Sequence, residues 1–106
     1  MIARTWRGWT TRDNADAYEY FLNRAVFPQL RATEGHHGVQ LLRRDLADES
    51  EFVVINFFES MEAVKRFAGE NYTEPVFEPE AKLLLLRIET EARHYEVRES
   101  GGEGAR

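Results

Sequence analysis

Residues 51–64, EFVVINFFESMEAV, decide the fold because a strand passes directly into a helix within this stretch. The side chains of a strand alternate between its two faces. One face here carries Phe52, Val54, Asn56 and Phe58, and the other carries Val53, Ile55 and Phe57. Both faces are mainly apolar, so we expect both sides of this strand to be covered. Ser60 is a suitable N-cap for the helix that follows, with Glu62 in its first turn.

The residues before this segment predict a hairpin and an earlier strand–helix unit. Residues 36–46 form another apolar-rich run, and the polar residues 47–50 between the two runs predict an antiparallel hairpin. Residues 2–9 predict a first strand. A helix with cap residues at 10–14 follows, and its apolar stripe consists of Tyr18, Phe21, Leu22, Ala25 and Leu30. Pro28 lacks an N–H and predicts a kink or a change of register near Phe27.

The residues after it complete the pattern. The second helix is expected to end at Gly69, and Pro79 to begin one helical turn. Residues 84–97 predict a single final strand with one wet face. The order strand, helix, strand, strand, helix, strand predicts an α+β, ferredoxin-like fold with a four-stranded antiparallel sheet. We expect one domain over residues 1–99 and a disordered glycine-rich tail over residues 100–106.

Two helices cover only one face of such a sheet, which leaves the second apolar face without a cover. A second copy of the chain is the simplest way to cover this face, because two-fold association buries the same patch on both subunits. The sequence therefore predicts a homodimer.

Composition narrows the function classes. The chain has 106 residues and no cysteine, which excludes disulfides, thiolate zinc sites, iron–sulfur clusters and cysteine nucleophiles. The net charge of −5 disfavours nucleic acid as a partner. No signal peptide and no apolar run of membrane-spanning length is visible, so we expect a cytoplasmic protein with no membrane partner.

Four segments of the sequence are distinctive: IARTWRGW at residues 2–9, LLRR at 41–44, FFESMEAV at 57–64 and HYEV at 94–97. Together they resemble the antibiotic biosynthesis monooxygenase (ABM) domain proteins. The resemblance implies a dimeric α+β barrel with a pocket between sheet and helices. It also implies oxidation of a small aromatic or polyketide-like compound by O₂ without a cofactor, the electrons coming from the substrate's own ring.

The sequence departs from the family at two points. Phe58 stands where relatives commonly have Trp, so one N–H donor is missing. The haem-degrading branch needs an axial histidine shortly after the second helix, and residues 69–82 contain none. The departures keep open an alternative function, a non-catalytic small-molecule-binding or assembly protein of the same fold.

Three residues are candidates for catalysis. Asn56 is an amide in an apolar strand and either orients a phenol or carbonyl or is satisfied by neighbouring backbone. His94 is either a general base held in its tautomer by Glu96, or an edge histidine at the dimer seam. Tyr72 is a phenol-bearing pocket wall that can serve the proton.

Four residues are candidates for substrate binding. Trp6 offers a flat wall with an N–H, or else packs in the core or dimer interface. Arg43 or Arg44 is expected to hold an anionic or quinone oxygen, and we choose Arg43. Phe58 and Phe67 are the apolar candidates. No metal site is expected, because the adjacent His36 and His37 point to opposite faces of a strand.

Overall fold

The computed structural model describes residues 1–76 and 78–101. Five strands and four α-helices follow one another, with one π-helical segment inserted after the first helix. In chain order they are β1 (Ile2–Thr11), α1 (Arg12–Phe21), the π-helical segment (Leu22–Val26), α2 (Phe27–Arg31), β2 (His36–Asp45), β3 (Glu49–Phe58), α3 (Met61–Ala68), α4 (Pro79–Leu84), β4 (Leu85–Ile88) and β5 (Arg93–Glu96).

The strands form one antiparallel sheet in the order β2-β3-β1-β4. β5 pairs with the first half of β1, along the same edge of β1 that β4 occupies at its second half. The predicted α+β, ferredoxin-like fold is confirmed, with the predicted hairpin as β2 and β3. The core lies between one sheet face and the helices, and Tyr18, Phe52, Phe58 and Val64 are its largest fully buried apolar side chains. The helices therefore cover one face of the sheet, as the element count predicts.

The first helix changes register before Pro28. Its N-cap is Thr11, whose hydroxyl accepts from the Asn14 N–H at 3.1 Å. Proline provides no N–H and crowds the preceding turn, so the α-helical hydrogen bonding cannot continue unchanged. The chain forms one π-helical turn over Leu22–Val26 and returns to α-helix at Phe27. The predicted change of register near Phe27 is confirmed.

The prediction of one continuous final strand is wrong. Residues 79–84 form α4, which includes Leu84, and residues 89–92 separate β4 from β5. The interruption has a physical cause in two hydrogen bonds away from the strand ladder. Glu89 O accepts from the Trp6 indole N–H at 3.1 Å, and the Ala92 N–H donates to Thr73 O at 2.7 Å. The predicted hairpin loop is also shorter, because β3 begins at Glu49.

The second face of the sheet is the open face. It carries Ala3, Thr5 and Arg7 of β1, Val53, Ile55 and Phe57 of β3, Leu42 of β2 and Tyr95 of β5, as the strand register requires. Leu42 is 48% exposed and Tyr95 is 53% exposed, whereas the apolar side chains of β3 on this face are half-buried. Beside them Glu51 forms ion pairs with Arg7 and Arg44.

No helix within residues 1–76 and 78–101 has the length and apolar character needed to cross a membrane. Of the predicted tail, Ser100 and Gly101 have no regular structure, and residues 102–106 lie outside the described residues.

Candidate functional site

A cavity lies between the covered face of the sheet and the helices. Its wall is mainly apolar and includes Leu22, Val26, Leu30, Val54, Phe67 and Val76. Arg4, Asn56, Trp6 and Tyr18 supply its polar groups. The cavity volume is about 60 Å³, room for a few water molecules or a compact polar group.

A wider recess of about 280 Å³ adjoins this cavity. The two spaces share Val26, Leu30, Phe67 and Val76, and the recess adds the polar residues Gln29, Thr33 and Glu78. The arrangement suits a ligand with a small head in the inner cavity and a larger body in the recess.

Three polar residues form a row across the sheet beside the inner cavity. Arg4 on the central strand β1 is paired with Asn56 of β3 on one side and with His94 of β5 on the other. Paired residues of neighbouring strands point to the same face. The register therefore turns all three side chains toward the helices.

Arg4 is 4% exposed and lies at the centre of this row. Its Nη1 donates to Tyr72 O, and its Nη2 donates to Glu74 O at 3.0 Å. The guanidinium also stands over the Phe67 ring, 5.6 Å from the centroid. Burial lowers the pKa of Arg4 to about 10, which leaves the side chain positively charged at neutral pH.

His94 Nε2 lies 2.9 Å from Arg4 Nη1. The predicted ring partner, Glu96, instead lies 3.8 Å from the guanidinium of Arg98. Burial, and secondarily the charge of Arg4, lower the pKa of His94. The Tyr72 ring packs edge-on against the His94 ring at 5.4 Å. His94 and Tyr72 thus contact Arg4 and each other behind the cavity wall.

Asn56 is 7% exposed and lines the cavity. Its Oδ1 faces His36 Nε2 at 2.9 Å, so the histidine donates and the amide accepts. Asn56 Nδ2 donates no hydrogen bond to any of the described residues. The amide N–H groups are therefore available to a ligand.

The structure brings together three of the seven candidates at the cavity wall: Asn56, Trp6 and Phe67. The indole N–H of Trp6 is used by Glu89 O, so the ring serves as a wall. Phe58 lies deeper in the core, between His36 and Phe67. Arg43 lies apart from the cavity, where its guanidinium binds Asp16, Glu19 and Asp45.

Sequence reasoning missed three residues of the site: Arg4, Tyr18 and His36. One signal for Arg4 was visible, because the alternation of β1 sets it on the same face as Ile2 and Trp6. Tyr18 belonged to the apolar helix stripe and carried no distinguishing signal. The contact of His36 with Asn56 depends on a bulge of β2 between His36 and Gly38. The sequence pattern did not predict this bulge.

The solved structures that are similar to this chain include two that cover nearly all of it. One is a Bacillus cereus protein described as an antibiotic biosynthesis monooxygenase, with a TM-score of 0.63 and 18% identity, covering 96% of this chain and 97% of that chain. The other is the haem degrader MhuD from Mycobacterium tuberculosis with two haems in its active site, with a TM-score of 0.61 and 20% identity, covering 96% and 100%. At these identities the likeness shows the fold alone.

The described residues of this chain do not fit haem. Haem iron takes histidine, cysteine, methionine or tyrosinate as its axial ligand. The described residues that line the inner cavity and the recess include no histidine, cysteine or methionine, and burial raises the pKa of Tyr18, which disfavours its tyrosinate form.

A sequence profile gives the family directly. No curated protein matches the sequence. The profile described as antibiotic biosynthesis monooxygenase matches residues 1–74, which cover β1 to α3 and most of the cavity wall. The chain therefore belongs to the antibiotic biosynthesis monooxygenase family.

Proposed function

We propose that the chain oxidises a small aromatic compound with O₂, without flavin, haem or metal. The observation that carries this proposal is the apolar cavity with a buried amide at its wall. Such a site holds an aromatic ring away from water and fixes one oxygen of that ring by a hydrogen bond. We assign this activity to a single domain over residues 1–99. We also propose that the protein is cytoplasmic.

The residues have distinct tasks in this proposal. Phe67, which borders both the inner cavity and the recess, supplies a ring surface for the aromatic body of the substrate. Trp6 is a flat wall beside the polar end of the substrate, and Asn56 Nδ2 donates to its phenol or carbonyl oxygen. An electron-rich phenol reduces O₂ by itself once it is deprotonated, so the protein's work is orientation and exclusion of water. In a reaction that converts the phenol into a quinone, one ring C–H becomes C=O and the phenol C–OH becomes the second C=O. One atom of O₂ enters the product, the other leaves as water with the two hydrogens lost, and all four electrons come from the substrate.

His94 and Tyr72 have a positioning task in this proposal. Both contact Arg4, through the His94 ring and the Tyr72 carbonyl. His94 Nε2 already faces a donor, so proton transfer there requires the contact with Arg4 to open. We therefore assign His94 to holding the arginine, and the sequence expectation of a direct base becomes the less favoured role.

We also propose that the protein is a homodimer formed through the open face. Within the described residues, Leu42 of β2 and Tyr95 of β5 on this face are about half exposed, and the apolar side chains of β3 are only half-buried. A second copy buries the same patch on both subunits. The flanking ion pairs of Glu51 form a polar rim of the kind that stable interfaces have.

An oxygen-electrode assay tests the activity. Catechol, hydroquinone and 1-naphthol are supplied to the wild-type protein, to Asn56→Ala and to Asn23→Ala, a matched amide on the exposed side of the π-helical segment. We expect oxygen uptake above the protein-free rate, reduced at least about tenfold in Asn56→Ala and unchanged in Asn23→Ala. Uptake equal in wild type and Asn56→Ala contradicts the proposed site.

One observation favours the second candidate, a non-catalytic binder. The indole N–H of Trp6 is used by Glu89 O, so this wall residue does not offer that donor to a reacting oxygen. This candidate predicts that the same phenols raise the melting temperature without oxygen uptake, because a ligand of the native state stabilises it by mass action.

A further inference from the structure

We propose that the natural ligand is an aromatic carboxylic acid whose carboxylate pairs with Arg4 in the inner cavity. The inference names the substrate class of the cavity described above and rests on the function proposed for it. It starts from the charge of Arg4 rather than from the aromatic wall.

Arg4 is a buried cation without a described counter-ion. Its contacts within residues 1–76 and 78–101 are two backbone carbonyls, one imidazole and one aromatic ring, and all four are neutral. His94 does not supply a negative charge in any protonation state. A charge taken out of water is costly unless an opposite charge or sufficient hydrogen bonds compensate it.

The other arginines show the contrast. Arg7, Arg43, Arg44, Arg87 and Arg93 each lie within 4.0 Å of a carboxylate, although each is considerably more exposed than Arg4. Arg12, Arg24 and Arg31 also have no carboxylate within this distance among the described residues, but all three are exposed, so water solvates their charge. Arg4 is therefore the described arginine that is both buried and without a carboxylate, as a site for an anionic ligand requires.

The remaining donors of Arg4 fit a carboxylate. A guanidinium has five N–H groups. Two on Nη1 face Tyr72 O and His94 Nε2, and one on Nη2 faces Glu74 O. The Nε–H and the second Nη2 N–H have no partner among the described residues, and Nε is not sealed in the core. Two donors on one planar group match the two oxygens of a carboxylate.

The shape of the cavity agrees with this chemistry. The inner cavity beside Arg4 has the volume of a compact head group, and the apolar recess lies beyond Val26 and Leu30. Asn56, paired with Arg4 across β1 and β3, offers a further N–H to the same head group. An aromatic acid thus places its charge at Arg4 in the inner cavity, beside the Trp6 ring, and its own ring in the recess against Phe67 and Val76.

Isothermal titration with three probes of one shape tests the inference. The probes are 1-naphthoate, 1-naphthamide and 1-naphthol, titrated into wild type, Arg4→Gln, Arg4→Lys and Arg43→Gln at neutral pH. We expect wild type to bind 1-naphthoate at least about tenfold more tightly than 1-naphthamide, since a hydrogen-bonded charge pair contributes more than a neutral one. We expect that preference to survive moderate salt, because a buried pair is weakly screened.

The variants locate the charge that produces the preference. Arg4→Gln should abolish it, Arg4→Lys should keep part of it, and Arg43→Gln, an arginine outside the cavity, should leave it unchanged. Equal binding of naphthoate and naphthamide by wild type overturns the inference and leaves the proposed function standing, even where Arg4→Gln fails to fold. Naphthol binding as tightly as naphthoate overturns the carboxylate in favour of a phenol. No binding of any probe overturns the inference and the proposed cavity together.

Discussion

Arg4 and His94 are paired residues of β1 and β5, and Arg4 Nη1 lies 2.9 Å from His94 Nε2. A guanidinium only donates, so Nε2 must accept and the imidazole must be neutral with its proton on Nδ1. A protonated His94 would set two cations against each other in the core. Burial, and secondarily the charge of Arg4, lower the pKa of His94, which favours the same neutral form of the ring.

This pairing predicts an acid-sensitive stability. Below the ordinary histidine pKa near 6.5, the unfolded chain takes up a proton at His94 that the folded chain does not. Because the unfolded state then binds more protons, the free energy of unfolding falls as pH falls through that range. Urea unfolding at pH 7.5 and pH 5.5 should show a smaller loss for His94→Gln than for wild type. The exposed-histidine variant His37→Gln is the control, and a loss in His94→Gln equal to that of wild type contradicts the pairing.

The passage between inner cavity and recess predicts a way to block binding. Val26 borders both spaces, and Val26→Phe should fill the passage. We expect the affinity for 1-naphthoate, or for any phenol that the oxygen assay identifies, to fall at least about tenfold. Asn23→Phe adds the same ring to the exposed side of the same π-helical segment and should bind normally. Equal affinities of the two variants in titration calorimetry would place the ligand elsewhere.

The open face predicts a variant that separates the subunits. Leu42→Glu puts a charge at a side chain that is already 48% exposed in the single chain, so the fold of each subunit should persist. We expect sedimentation to give twice the chain mass of 12.4 kDa for wild type and about one chain mass for the variant. Leu83→Glu, at an 82% exposed position on α4, is the matched control. A wild-type protein of a single chain mass refutes the dimer.

Two glycines with similar positive φ angles predict different steric costs of substitution. Gly35 has φ 87° and Gly69 has φ 82°, and a positive φ of this size is unfavourable for an L side chain by about 1–3 kcal/mol. A Cβ at Gly35 also comes within 2.6 Å of the Ala63 Cβ, whereas a Cβ at Gly69 meets nothing within 4 Å. Gly35→Ala should therefore lower the unfolding free energy more than Gly69→Ala in urea titrations. Equal losses of unfolding free energy would mean that α3 shifts to accommodate the Cβ at Gly35 without an energetic cost.

The order of elements is predictable from the sequence because local rules govern it. Alternation marks β3, the three- and four-residue spacing marks α1, and Pro28 marks the change of register. The break between β4 and β5 follows instead from hydrogen bonds of Glu89 and Ala92 to distant residues. Long-range bonds of this kind leave no periodic signal.

The residues of the site likewise include some that local rules predict and some whose position depends on long-range contacts. Asn56 and Trp6 reach the cavity because strand alternation fixes their face. Arg43 also points toward the helices, yet α1 provides Asp16 and Glu19, which bind its guanidinium outside the cavity. Alternation likewise assigns Arg4 to the inner face, but only the folded chain reveals that neutral groups surround it.

The π-helical turn also determines how this architecture can diversify. One residue added to a helix rotates every later side chain by about 100°. Leu22 and Val26 bound the turn, and both border the cavity together with Phe27 and Leu30 beyond it. Gain or loss of one residue here would re-aim the last two without altering any strand pairing. The helical wall is therefore where insertions and deletions can change ligand range, while the sheet can change it only by substitution.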